Sequence, residues 1–471
     1  MERILTATQM QKADNFTINV LGISQDELVE RAGKSIADVI KNQFLGGRVL
    51  VCVGKGNNGK DGLVVADILK KKHGFSVAVF DSENPCYEIF DNQFDILVDC
   101  LFGVGLNRRI EGKYKEIIDK INDINCYKIS CDIPSGINGN NGKVMGVAVK
   151  ADLTIAIGEY KVGHFFGDGI DYCGKIIVKD IGISVWEDNF IKRIDSRDAK
   201  KCFEKPNRNV HKGNFGKACV IGGSGDYSGS IILSANSLTA LKSGVGYTYL
   251  CVPKSLFDAY VGKNPECILL TFDEDVKGSL EKVLFCDSIA VGMGMGAKEQ
   301  TYKIVCYLLE NYTGTLIIDA DALNALSKFG KDVLRNKKCN VILTPHVGEF
   351  GRLCGKDKDY LSDNLIDEAI NFAKQYSVKL VVKSAVSIIT DGEDVYLNTT
   401  GCSGMAKAGS GDVLSGLIAG VTARCSGEME SLLSALYVFG KAGEKAQELG
   451  CEFTVTASEI IAQFPSVIKN L

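Results

Sequence analysis

The chain has 471 residues, too many for one ordinary hydrophobic core, which predicts two domains of comparable size. Hydrophobic residues make up 45% and charged residues 24%, a globular rather than a disordered balance. The formal net charge is -4, with both signs mixed along the chain, so the basic face of a nucleic-acid binder is missing. No run approaches the roughly 20 apolar residues of a membrane span, and Met1 to Asp14 lacks a basic-then-apolar signal pattern. A cytoplasmic protein with neither nucleic-acid nor membrane partners is expected. The 17 scattered cysteines contain no C-x-x-C pair, and Cys52, Cys100, Cys131, Cys219 and Cys251 fall inside apolar runs, where a reduced thiol acts as a small hydrophobe.

In the first half, helical and strand-like patterns alternate. Gln25 to Phe44 reads as an amphipathic helix, Arg48 to Gly54 as a buried strand and Asp61 to His73 as a helix whose basic end, Lys70 to Lys72, complements its dipole. Strand-like runs follow at Ser76–Phe80, Asp95–Phe102, Tyr127–Pro134, Leu153–Gly158 and Lys175–Ile183. Continuous apolar runs separated by helices predict a mostly parallel sheet covered on both faces, with ligands at the carboxyl ends of its strands. A polar stretch, Asp195 to Asn209, is read as the boundary, giving domains 1–205 and 206–471. The alternation then restarts, with runs at Lys217–Gly223, Gly246–Pro253, Ser288–Gly294, Thr315–Asp321, Asn340–Pro345 and Lys379–Ala385, and an apolar helix at Val413–Thr422.

Three strand ends in the first half carry polar chemistry. Gly54 to Gly62 matches the P-loop spacing up to Lys60, but Asp61 stands where a magnesium-binding hydroxyl belongs, and a carboxylate there would repel phosphate. A strand, a glycine loop and a helix start remain, serving either a polar ligand or a tight turn. Asp99 to Arg109 pairs an acid with a glycine loop and two arginines, and Asp132-Ile133-Pro134-Ser135-Gly136 follows another buried strand. One such acid is commonplace as a turn former; three on one rim suggest a site.

These segments, with Glu27 to Gly33, Ala151 to Thr154 and Lys161-Val162-Gly163, resemble the NAD(P)H-hydrate epimerase family over roughly the first 200 residues. The resemblance implies a Rossmann-like three-layer α/β/α domain. It implies that Asn57, Asn58, Gly59, Lys60, Asp61, Gly103, Val104, Gly105, Leu106, Asn107, Arg108, Arg109, Tyr114 and Asp132 contact the hydrated nucleotide. Asn58, Asp99 and Ser135 would hold a potassium ion. Lys60 replaces a usual glycine and could narrow access to the loop. Moving a C6 hydroxyl between ring faces asks for a general acid and base, worth ~10²–10⁴-fold; Asp132 and Lys161 are the candidates, Lys161 reading equally as a surface lysine.

In the second half, Gly409-Ser410-Gly411-Asp412 opens a helix whose amides and dipole can stabilise phosphoryl oxygens, while the acid can take a proton from a hydroxyl. Alone this is as often a plain turn. Its companions are Gly292 to Gly296, Asp319 to Asn324 and Thr344 to Glu349. Together they resemble the ADP- or ATP-dependent NAD(P)H-hydrate dehydratase family, which implies a ribokinase-like fold. By that resemblance Ser230, Gly294, His346 and Asp412 would meet the hydrated nucleotide, and Lys383, Ser384, Ala385, Val386, Ser387 and Gly411 the adenine nucleotide, ADP with magnesium. Met293, Ser384, Ser230, Ser387 and Lys407-Ala408 depart from the usual residues. The expected chemistry is elimination assisted by phosphorylation, with Asp412 deprotonating the hydroxyl. Such folds self-associate, so a homo-oligomer is expected. The alternative is a ribokinase-type small-molecule kinase fused to a non-catalytic nucleotide-binding module.

Overall fold

The computed structural model describes residues 1–186, 189–239 and 243–471. The chain divides into two compact units, Glu2–Ile191 and Lys192–Leu471. The polar stretch that reads as a linker lies in the second unit. There the Ser196–Lys200 helix packs on Glu428–Leu449, and Ser434 Oγ donates to the Asp198 carbonyl at 3.3 Å.

The first unit is built on six parallel strands in the spatial order Ser76–Asp81, Arg48–Val53, Ile96–Cys100, Tyr127–Cys131, Leu153–Ile157 and Lys175–Lys179. The apolar runs are continuous because both faces are covered. Val49, Val51 and Val53 pack against the Gln25–Gln43 and Asn57–Lys72 helices, while Leu50 and Cys52 pack on the opposite face with Ile117, Ile118 and Ile121 of the Lys113–Asp123 helix. Each fully buried side chain of this size contributes about 1.5–3 kcal/mol. The Asn57–Lys72 helix begins four residues before its expected start, because Gly56 already occupies the cap position, and it ends in Lys70 to Lys72 as its dipole favours.

The second unit contains a parallel set of its own: Ile268–Phe272, Tyr247–Pro253, Lys217–Ile221, Ser288–Val291, Thr315–Ile318, Asn340–Leu343 and Lys379–Val382. Ser387–Thr390 and Val395–Asn398 extend it antiparallel, joined through an Asp391-Gly392 turn in which Gly392 has φ +98°. The Ser228–Leu238 and Ser410–Arg424 helices cross so closely that a Cβ at Gly416 would lie 2.1 Å from the Ser234 carbonyl. Ser234 and Ser237 hydroxyls donate across this contact to the carbonyls of Asp412 and Val413, at 2.8 and 2.7 Å. The 17 cysteines are all free. Among the described residues, no helix is long and apolar enough to cross a membrane.

Candidate active sites

In the first unit the carboxyl ends of the strands surround a cavity of about 530 Å³. Its glycine loop is a steric necessity: a Cβ at Gly59 would lie 1.8 Å from the Gly54 carbonyl oxygen, and one at Gly54 would lie 2.0 Å from that of Leu101. Folded this tightly, the loop aims the first helical turn into the cavity. Asn57, Asn58 and Asp61 line it, as do Gly103, Val104, Gly105, Leu106, Asn107, Arg108, Tyr114, Asp132 and Lys161. Gly59, Lys60 and Arg109 do not. Gly59 is buried in the loop, Lys60 is exposed, and Arg109, on the surface, pairs with Glu111 at 3.5 Å.

Asp99 joins two strand ends. Its buried carboxylate accepts from Ser130 Oγ (2.9 Å), Ser135 N (2.8 Å), Ser135 Oγ (2.6 Å) and Leu101 N (3.2 Å). Burial nonetheless holds its pKa above the usual carboxylate range, with those hydrogen bonds pulling against it. Ser135 Oγ in turn accepts from Phe102 N at 2.8 Å, and the Phe102 ring meets Tyr114 edge-on at 4.9 Å. The Asn58 side chain is buried with neither its amide nitrogen nor its oxygen hydrogen-bonded.

Lys161 is fully buried, which removes its reading as a surface lysine. Its ammonium contacts Asp132 Oδ1 and donates to the Ile157 carbonyl at 2.7 Å, while Ile157 N donates to Asp132 Oδ1 at 3.3 Å. Burial pushes the Asp132 carboxyl up, but Lys161, His164 and the Ile157 amide outweigh it and the net shift is downward. Asp132 has φ +68°, a left-handed conformation rare outside glycine. Two further acids face this pair across the cavity. Burial, reinforced by Asp132, raises Asp61 to about 8 and Asp14 to about 6. The site thus holds an ion pair beside a carboxyl whose affinity for its proton is raised by burial, a set able both to accept and to donate a proton. Asp14 escaped sequence reasoning because it lies on the Ala7–Asn19 helix, away from any strand end.

In the second unit, Asp412 occupies the first turn of Ser410–Arg424 behind Gly409, whose φ is +93°. Burial pushes its carboxyl up to about 6, Asp319 adds to the rise, and the Ser230 hydroxyl and Lys383 pull against it. A Cβ at Gly294 would lie 3.1 Å from Ser230 Cβ, so those two positions adjoin. Lys383 Nζ would lie 3.3 Å from a Cβ at Gly411 and donates to Asp319 Oδ1 at 2.8 Å. Lys383 N donates to the Pro345 carbonyl at 2.8 Å, which sets His346 alongside. His346 caps the Val347–Cys354 helix, its Nδ1 accepting from Gly348 N at 3.0 Å, and its side chain is 56% exposed. Val386 is buried; Ser384 and Ala385 are exposed in the turn before Ser387. Sequence reasoning noted the Asp319-Ala320-Asp321 segment without assigning it a role. Asp319 is 1% exposed and also accepts from Ser415 Oγ at 2.5 Å, Asp321 accepts from Gly296 N at 2.7 Å, and Ala320 between them has φ +48°. Glu349, its carboxyl raised by burial, completes this acidic surround.

Residues 218–466 match the NAD(P)H-hydrate dehydratase family model, and residues 25–94 and 80–163 match that of the YjeF-related protein N-terminus. The "Bifunctional NAD(P)H-hydrate repair enzyme Nnr" of Thermofilum pendens is 32% identical over 100% of this chain and 97% of its own length. That of Dictyoglomus turgidum is 30% identical over 100% and 99%. The ADP/ATP-dependent NAD(P)H-hydrate dehydratase of Bacillus subtilis, co-crystallised with ATP and Mg2+, superposes with a TM-score of 0.50 at 26% identity, covering 58% of this chain and 96% of its own. A ribokinase-like superfamily protein of Enterococcus faecalis gives 0.53 at 25%, covering 59% and 96%. Matched along its whole length and in both halves, the chain belongs to the bifunctional NAD(P)H-hydrate repair enzyme family.

Proposed function

We propose that the first unit interconverts the R and S epimers of hydrated NADH and NADPH, and that the second returns the S epimer to NAD(P)H at the expense of ADP. The boundary between the two activities is read at 205/206 in the sequence, past the division of the compact units at Ile191/Lys192. The observation that carries this reading is Asp412, a carboxyl in the first turn of a helix inside the segment matching the dehydratase model. Asp412 accepts the C6 hydroxyl proton as that oxygen attacks the terminal phosphorus of ADP, and AMP leaves. Loss of the C5 proton and of phosphate from C6 then restores the nicotinamide ring. Amides of Gly411 and Asp412 and the Lys383 ammonium stabilise the charge that develops. Ser230, Gly294 and His346 receive the hydrated nucleotide; Ser384, Ala385, Val386 and Ser387 receive ADP. The magnesium that accompanies the nucleotide would ease phosphoryl transfer by its charge.

In the first unit the cavity-lining residues from Asn57 to Tyr114 hold the nucleotide. Asp132 and Lys161 move the proton at the C6 oxygen while the ring nitrogen assists C–O cleavage. The unpartnered Asn58 amide oxygen, with Asp99 and Ser135, offers hard ligands for potassium, which would supply positive charge to the bound phosphates. The free cysteines accord with a reducing cytoplasm, and self-association is read by sedimentation. Incubating the protein with each hydrated NADH epimer and ADP, and following absorbance at about 340 nm, tests the whole. Recovery of absorbance from both epimers is expected; formation of a stable phosphorylated product without recovery would point to a small-molecule kinase.

A further inference from the structure

The ring of His164 touches both members of the Asp132–Lys161 pair through their backbones. It is 1% exposed and does not line the cavity, so it is not placed to meet substrate. Lys161 N donates to His164 Nδ1 at 3.2 Å. A ring nitrogen that accepts an N–H bond carries no proton, so the proton of the neutral ring sits on Nε2. Nε2 is 2.9 Å from the Asp132 carbonyl oxygen and donates to it.

We propose that His164 is a positioning residue for proton transfer, a neutral clamp fixing Asp132 and Lys161 relative to each other. This rests on the epimerase reading of that pair. Asp132 needs such a clamp, since its φ of +68° is costly for any side chain other than glycine and persists only when neighbours hold it. The side chains of the pair meet through Ile157, whose amide and carbonyl bond Asp132 and Lys161 respectively; the main chains meet through His164. Tyr160 and Phe165 flank the ring edge-on, with centroids at 6.5 and 6.1 Å, and fix its plane. Burial and the Lys161 charge push the imidazole down to about 4, against Asp132, so the ring stays neutral and keeps both roles. A protonated ring would lose the bond from Lys161 N.

Three substitutions of the full-length protein separate the two bonds. His164→Gln places a donor where Nε2 stands, His164→Asn places an acceptor where Nδ1 stands, and His164→Leu supplies neither. In His164→Leu, kcat for epimerisation should fall about 100-fold with KM nearly unchanged, as expected when reacting groups are misplaced but binding is not. His164→Gln should recover much of that loss, and ADP-dependent dehydration should be unaltered in all three. A kcat within about twofold of wild type in His164→Leu, or a loss that neither polar variant reverses, overturns the proposal. Nitrogen NMR of the imidazole gives a readout independent of activity. His164, identified by its absence in the Gln variant, should show a proton on Nε2 and no titration between about pH 5 and 8. A titrating ring or the opposite tautomer refutes the clamp, whereas an inactive wild-type protein with the expected tautomer would count against the epimerase reading alone.

Discussion

Lys383 Nζ and Asp319 Oδ1 are 2.8 Å apart at the point where the Ser410–Arg424 helix begins, joining two strand ends beside Asp412. Asp319 is almost completely buried, so removing the ammonium leaves its charge without a counterion. Lys383→Met should destabilise the second unit by about 3–5 kcal/mol and abolish measurable dehydration, while Lys383→Arg retains the charge. Calorimetry and the absorbance assay read the two effects separately.

Asp412→Asn should abolish ADP-dependent dehydration and leave epimerisation intact. In the wild type, dehydration should fall as the pH drops through about 6, where the carboxyl gains its proton. Stability runs the other way. A carboxyl raised from 3.8 to about 6 binds its proton more tightly in the folded state, so its contribution is complete below 3.8 and lost as pH rises through 6. Asp412→Asn should therefore be more stable than wild type at alkaline pH, by about 3 kcal/mol, with the difference vanishing in acid. Thermal melts across pH check the sign.

The Asp132–Lys161 pair makes a double-mutant test possible. Lys161→Met should cost about 3–5 kcal/mol, because it strands a buried carboxylate. Adding Asp132→Asn should return most of that stability without returning epimerisation. If the double variant were as unstable as the single, the pair would not be the source of the effect.

Gly59→Ala probes the loop. Its Cβ would lie 1.8 Å from the Gly54 carbonyl, so the Asn57–Lys72 helix must shift from the sheet. Epimerisation should be lost, with a fall in stability of the first unit, while dehydration persists. Activity assays on the same sample report both.

Much of this arrangement is legible in the amino-acid order, for a physical reason. Buried parallel strands such as Arg48–Val53 and Leu153–Ile157 are uninterrupted apolar runs, and their ends are marked by glycine and acid residues that cannot continue a strand. The strands that escaped notice lack that signature. Ile268–Phe272 lies on an edge with its first residue exposed, and Ser387–Thr390 and Val395–Asn398 are four-residue pieces whose only marker is the Asp-Gly turn. In the sites, residues on one loop announce themselves together, as Gly103 to Arg108 do. Asp14 and His164 do not, and Asp319 shows in its segment without showing its role, because their importance comes from what lies across space. Asp14 faces the cavity of Asp132 from a distant helix, His164 grips main chain rather than substrate, and Asp319 finds Lys383 only after two further strands are in place.

The left-handed backbone at Asp132 makes that position an unstable compromise. Glycine is the residue that would relax it, and glycine has no carboxylate. Any drift toward a more comfortable main chain therefore erases the acid, and any other side chain inherits the strain without the chemistry. Asp132→Gly would relax the main chain yet strand the fully buried Lys161 ammonium, so it should lose stability together with turnover: the ion pair is what keeps an acid on a backbone that suits glycine.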